Sequence, residues 1–206
     1  MSLVELIAAA DERGLAAGGL ACLDRCVPLL GGDDEILRPL WASLAESPAG
    51  AGSEEGDRDW GACVEQARAK LQVTGAPGSD ASAEGEAVAL AHGMLGAVPA
   101  ERTPENLREW ADACSVAALR IHRLLDATAA AGPDGASFDA ASVTALREGR
   151  TQDMSPLVAA ELRRQIGILE LLSAHGAAGL RPAWELSTEG RRVLRAVVSR
   201  RARGRN

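Results

Sequence analysis

The chain has 206 residues, 47% of them hydrophobic, and its 22 basic and 29 acidic residues leave a formal net charge of −7. There is no Tyr, one Phe and four Trp, so Leu, Val, Ile and Ala must build the core, and strand-favouring residues rarely alternate with polar ones. A sheet-based fold is thereby excluded, and at this length roughly 70% of the unfolded surface can be buried without metal or disulfide staples.

The expected architecture is all-α: a single-domain bundle of seven to nine helices over residues 1–198, with mobile loops near 48–58 and 74–86. A basic, flexible tail is expected at 199–206. The opening "MSLVELIAAADERG" places Glu5 and Asp11 where an export signal needs a basic start and an unbroken apolar run. No stretch approaches the 18 or so uncharged apolar residues of a membrane-spanning helix. We therefore expect a cytoplasmic protein with no membrane partner, whose Cys22, Cys26, Cys63 and Cys114 stay as thiols.

The first distinctive segment is "ACLDRCVPLL" at 21–30. On a helical wheel Leu15, Leu20, Cys22, Leu23, Cys26, Val27 and Leu30 share one half, with Asp24 and Arg25 opposite. Cβ atoms four residues apart on a helix are about 5–6 Å apart, beyond the roughly 3.5–4.5 Å that a disulfide requires. Zinc would need two more ligands, and no His pair or second Cys pair at metal spacing supplies them. Cys22 and Cys26 thus read as buried core thiols, and no metal or cofactor is expected.

Next, "GGDDEILRPLWASLAES" sets Ile36, Leu37, Leu40, Trp41 and Leu44 on one stripe, with Asp33–Glu35 in the first turn where the macrodipole favours acids. Past the first loop, Trp60, Cys63, Val64, Ala67 and Leu71 mark a helix. Val88, Ala91, Leu95 and Val98 form a short stripe. "ERTPENLREW" then supplies a strong helix start, Thr103 at the N-cap and Pro104 at the first helical position. The seam it opens runs Leu107, Trp110, Cys114, Ala117, Ile121 and Leu125, and Gly132 and Pro133 close it. A short helix is expected around 139–148. Ser155 and Pro156 begin another, with Val158, Leu162, Ile166, Leu169 and Leu172 on its stripe and Gly176 at its end.

Catalytic signatures are missing. No phosphate-binding loop, dinucleotide fingerprint or nucleophile elbow is present, and His92, His122 and His175 lie far apart. His122, with Arg123 beside it and Asp126 one turn on, has the surroundings of an exposed helical face. No catalytic residue is assigned; an enzyme whose site is assembled from scattered residues is the second alternative to the readings below.

Residues 180–197, "LRPAWELSTEGRRVLRAV", resemble the last wing strand and following helix of winged helix-turn-helix regulators. The resemblance covers about 18 residues and implies a short strand near 180–186 and a role in binding nucleic acid. Read from its residues alone, the segment is a connector with Ser187 as N-cap of a last helix.

The end of the chain carries Arg191, Arg192, Arg195, Arg200, Arg201, Arg203 and Arg205. Residues 181–206 hold eight Arg against two acids, net +6, and the remainder holds 14 basic against 27 acidic residues, net −13. Such a segment grips either phosphates or an acidic protein surface, including the chain's own. A body of net −13 repels a polyanion, and no aromatic residue in the tail can stack on a base. The favoured expectation is a non-enzymatic helical protein that acts through a protein partner or through itself as a homodimer. A nucleic-acid-binding regulator is the first alternative.

Overall fold

The computed structural model describes residues 1–46, 54–74, 82–126, 140–150 and 154–204. Through these run nine α-helices: α1 (Leu3–Ala9), α2 (Glu12–Cys26), α3 (Arg38–Glu46), α4 (Glu54–Thr74), α5 (Ala83–Gly96), α6 (Pro104–Leu125), α7 (Ala140–Arg147), α8 (Pro156–His175) and α9 (Leu180–Gly204). Short 3-10 turns follow α2 at Val27–Leu29 and α8 at Gly176–Gly179. No strand occurs among the described residues, and the fold is all-α.

The helix starts follow local chemistry. Ser2 accepts from the Glu5 amide while the Glu5 carboxylate accepts from the Ser2 amide, a reciprocal capping box. Asp11 caps α2 through the Gly14 amide, Ser82 caps α5 through that of Gly85, and Thr103 caps α6 through that of Asn106. Pro104 and Pro156 each occupy the first helical position, where the missing N–H costs nothing.

Five boundaries differ from the sequence reading. The strand implied near 180–186 is the opening of α9, since Pro182 falls within the first turn and Leu180, Ala183 and Trp184 pack inward. Ser187 consequently lies inside α9 and is no N-cap. Helix α4 begins at Glu54 and α5 at Ala83, so 54–58 and 83–86 are helical; 48–53 and 75–81 lie outside the described residues. Apolar periodicity reports packing, and its absence does not argue against helical backbone. Residues 199–204 continue α9, whereas Arg205 and Asn206 are outside the described residues. Finally, α3 starts at Arg38, and Asp33–Glu35 sit in the turns before it.

Helix α2 is the axis of the bundle, flanked by α6, α8, α9 and α3. Every residue from Gly14 to Cys26 is buried except Gly18. Full burial of Leu15, Leu20 and Leu23 contributes about 1.5–3 kcal/mol each. A helix enclosed on all sides needs small residues where its neighbours cross. Gly19 lies under the Trp110 indole, and a Cβ there would stand 2.7 Å from the ring.

The α6 seam is buried throughout, from Leu107 to Leu125. Trp110 meets Trp60 of α4 edge to face with centroids 6.3 Å apart. Both indoles are satisfied: Trp110 Nε1 donates to the Met94 carbonyl at 3.1 Å and Trp60 Nε1 to that of Pro99 at 2.8 Å. These contacts fix α4 and α5 against α6, and so shape the outer surface described below.

Candidate functional site

Two features have a chemical character that the stripes did not announce: a polar seam inside the bundle and an apolar groove on its outside. The seam begins at Arg25 of α2, which the helical wheel set opposite the apolar half and which is wholly buried. Its Nε and Nη2 donate to the two oxygens of Glu161 on α8 at 2.8 and 2.5 Å, a forked pair. Gln165, one turn on, donates to Glu161 at 2.9 Å and accepts from the Ser115 hydroxyl at 2.7 Å. Arg147 of α7 donates to Ser115 at 3.1 Å and pairs with Asp112.

His122 belongs to this seam and not to an exposed face, because α6 turns it inward toward α8. Its Nδ1 lies 2.7 Å from the Ala118 carbonyl. A carbonyl only accepts, so Nδ1 carries the hydrogen and Nε2 presents a lone pair to Glu161 Oε2 at 3.5 Å. Burial holds the imidazole below its ordinary titration range, against the pull of the Glu161 charge. For Glu161 burial acts upward, but Arg25, His122 and the Gln165 hydrogen bond together outweigh it and bring the carboxyl down to about 2.

The thiols adjoin the seam. Burial pushes Cys22 up to about 12, although Arg25 Nη2 approaches its Sγ at 3.4 Å. Burial likewise raises Cys26 and Cys114 well above the usual thiol range. All three are free and buried, as expected of Cys22 and Cys26, and are held in the un-ionised form that is a poor nucleophile. The space lined by Cys22, Ser115 and Gln165 is only about 10 Å³, room for no more than about one water molecule. Among the described residues no cluster of three or more His, Cys, Asp or Glu is placed to hold a metal ion.

A second knot of charge pins α9 to the bundle. Asp24, also expected opposite the core, is buried; it accepts from the Ser187 hydroxyl at 2.8 Å and pairs with Arg191 at 2.6 Å. Burial raises its carboxyl, against the effect of Arg191 and Ser187. Asp34, in the turns before α3, pairs with Arg191 at 3.3 Å and with Arg195 at 2.6 Å. Of the seven arginines singled out in the sequence, Arg191 and Arg195 are therefore struts within the molecule. Arg192 reaches Glu189 at 3.9 Å on an exposed face. Arg200, Arg201 and Arg203 make no ion pair with any described residue.

The groove lies between α5 and α6. Its volume is about 340 Å³, lined by Ala89, Leu90, Gly93, Met94, Trp110 and Ala113 among others, and the exposed Glu86–Arg120 pair closes one end at 2.8 Å. Beyond Ala97 and Ala113 it opens into a second hollow of about 480 Å³ bordered by Glu101, Asn106 and Glu109. Glu101, Glu105 and Glu109 are exposed and in no ion pair with described residues. The groove is thus apolar along its floor, neutral at one end and acidic at the other.

Periodicity did not expose either feature. The seam had a faint signal: Asp24–Arg25 and Glu161–Gln165 interrupt apolar runs on both sides, a place where charge is kept only when paired. The groove had a fainter one, small residues at 89, 93, 97 and 113 where a core-facing stripe would carry larger ones. Comparison with known families, with curated proteins and with solved structures finds no match. Among the described residues, no helix is long and apolar enough to cross a membrane.

Proposed function

We propose that this protein acts by binding a helical segment of a polypeptide in the α5–α6 groove, and that it performs no covalent chemistry. The observation that carries this reading is the groove itself, an apolar trough of about 340 Å³ left open where, among the described residues, large apolar side chains other than Met1 and Val4 are at least partly enclosed. Glu101 and Glu109, in the hollow at its open end, select an amphipathic helix with cationic residues at one end, since complementary charge steers and orients such a partner. The enzymatic alternative draws little support from the interior. Its densest polar cluster has about 10 Å³ beside it, too little for a substrate, and burial keeps its thiols protonated. Free thiols suit a reducing compartment, and we place the protein's action in the cytoplasm.

Methionine makes the test direct, because the chain has three, Met1, Met94 and Met154, and Met94 lines the groove. Protein labelled at the methionine methyl carbons is titrated with a designed Leu/Ala peptide of about 18 residues, long enough to hold a helix, with three arginines at its C-terminal end. Met94 should shift saturably while Met1 and Met154 stay in place, and replacing the arginines by glutamates should weaken binding at least about tenfold, or 1.4 kcal/mol. A Met94 resonance unmoved at millimolar peptide would remove the reading.

A further inference from the structure

We infer that the helix this groove takes is the arginine end of α9 from a second copy of the chain, an inference that rests on the groove reading above and names its partner. The argument starts from charges that the monomer leaves unmatched. Along α9, Arg181 pairs with Glu185, Arg191 with Asp24 and Asp34, Arg192 with Glu189, and Arg195 with Asp34. After Arg195 the arginines continue and the acids stop. Arg200, Arg201 and Arg203 have no ion-pair partner among the described residues, and neither have Glu101 and Glu109 at the mouth of the groove. One copy therefore carries an unmatched cationic patch and an unmatched anionic patch that do not meet each other.

The surfaces also suit each other in shape. The tip of α9 keeps Val197 and Val198 against its own body and exposes Ala196, Arg200, Ala202 and Arg203. Residues 196, 200 and 203 are spaced i, i+4 and i+7, so they share one face. Opposite them the groove offers the exposed Ala89, Gly93, Ala97 and Ala113. Small residues on both helices permit a close interaxial approach, and the long arginine side chains then reach past Ala97 toward Glu101 and Glu109.

Two copies related by a two-fold axis make this contact twice, each giving its α9 tip and receiving the other's, and the assembly closes as a dimer. The charge distribution favours such an exchange: net +6 over residues 181–206 meets a body of net −13. Single exposed ion pairs contribute little. Covering the apolar floor and the close helix contact contribute to affinity, and the charges supply orientation and sensitivity to salt.

Sedimentation velocity of the full chain, together with the Met94 methyl resonance, is measured over a concentration series. The expected result is a monomer–dimer equilibrium in which Met94 shifts as dimer forms and Met154 does not, weakened at least about tenfold by raising salt from about 0.05 to about 0.5 M. Ala113→Arg, at an exposed position, should obstruct the groove; R200E/R201E/R203E should repel it. Each variant alone should remain monomeric with an unchanged far-UV circular dichroism spectrum. An equal mixture should partly recover association, because one sound groove and one sound arginine end remain. A chain that stays monomeric at millimolar concentration while its Met94 still answers the designed peptide would overturn this inference and leave the groove reading standing. If neither peptide nor concentration moves Met94, both fall. A dimer that forms without moving Met94, or that tolerates both variants, uses another surface and overturns the inference.

Discussion

The seam around Glu161 and the groove between α5 and α6 invert the usual disposition of residues. The seam buries Arg25, His122, Glu161 and Gln165 inside the bundle, whereas the groove turns Ala89, Gly93 and Ala113 to solvent a few turns away. Trp110 and Cys114 of α6 line the groove, and Ser115, the next residue, belongs to the seam, so a single helix separates the two. The two regions differ in where their polar groups find partners. Arg25, Glu161 and Arg147 of the seam each pair within the chain, and only single atoms such as Arg25 Nη1 and His122 Nε2 are buried without a hydrogen-bond partner among the described residues, so its contribution is structural. The groove has an apolar floor and carboxylates with no ion-pair partner among the described residues, which is why we propose that it takes a second molecule.

That contrast breaks most visibly at the buried pair. Glu161→Ala should destabilise the protein by about 3–5 kcal/mol, because it leaves the Arg25 guanidinium buried and uncompensated. This is a large fraction of the stability of a typical domain, about 5–15 kcal/mol. Arg25→Met combined with Glu161→Leu should be far milder than either single removal, since replacing both charges by apolar groups of similar volume avoids the orphan charge. Urea unfolding of the three proteins checks this. A double variant as damaged as the singles would show that the pair positions its helices in a way that apolar packing cannot replace.

The asymmetry between the two regions also explains what could be read from sequence. The helices were legible because their stripes are: Trp60, Val64 and Leu71, or Leu107 through Leu125, recur at helical spacing and all are buried. The caps at Thr103 and Pro104 were legible because their chemistry is local. The seam was not, because Arg25 and Glu161 are 136 residues apart and their types alone read as solvated charge. His122 misled for the same reason, its sequence neighbours being polar while its spatial neighbours lie on α8. Arg191 could be counted as basic but not as buried, since Asp24 and Asp34 reach it through the packing of α9 on α2 and on the turns before α3. The small residues at 89, 93, 97 and 113 were too faint a signal for the groove, because an exposed alanine and a buried one look alike in one dimension.

A smaller effect, set by pH, sharpens the comparison without touching the groove. His122 titrates in the folded chain below its ordinary value of 6.5, so as pH falls the unfolded chain takes the proton first. The stability tied to His122 is present above about 6.5 and lost as pH falls below it. Glu161 is held at about 2 against an ordinary 4.5, so its contribution is lost over the lower window from 4.5 toward 2. Two acid steps are therefore expected in unfolding free energy plotted against pH. His122→Asn should erase the upper step and keep the lower one. An upper step that survives the substitution would assign it to another group.

The smallest effect is expected at the end of α9, where the arginines divide into struts and free charges. Arg191 is buried with Asp24, and Arg191→Ala should cost several kcal/mol as the Glu161 variant does. R200Q/R201Q/R203Q should change stability by no more than about 0.5 kcal/mol, the range of surface positions that hold nothing in place. The same division bears on nucleic acid. If all seven arginines met phosphates, the logarithm of affinity for duplex DNA would fall with that of salt at a slope of about −6, but with Arg191 and Arg195 paired to aspartates of the chain at most five remain and the slope should be no steeper than about −4.5. A body of net −13 opposes even this. Duplex binding near 0.15 M salt should accordingly be weak or undetectable by fluorescence anisotropy. Submicromolar binding with a slope near −6 would mean that Arg191 and Arg195 leave Asp24 and Asp34 for phosphates, and that α9 comes away from the bundle to do so.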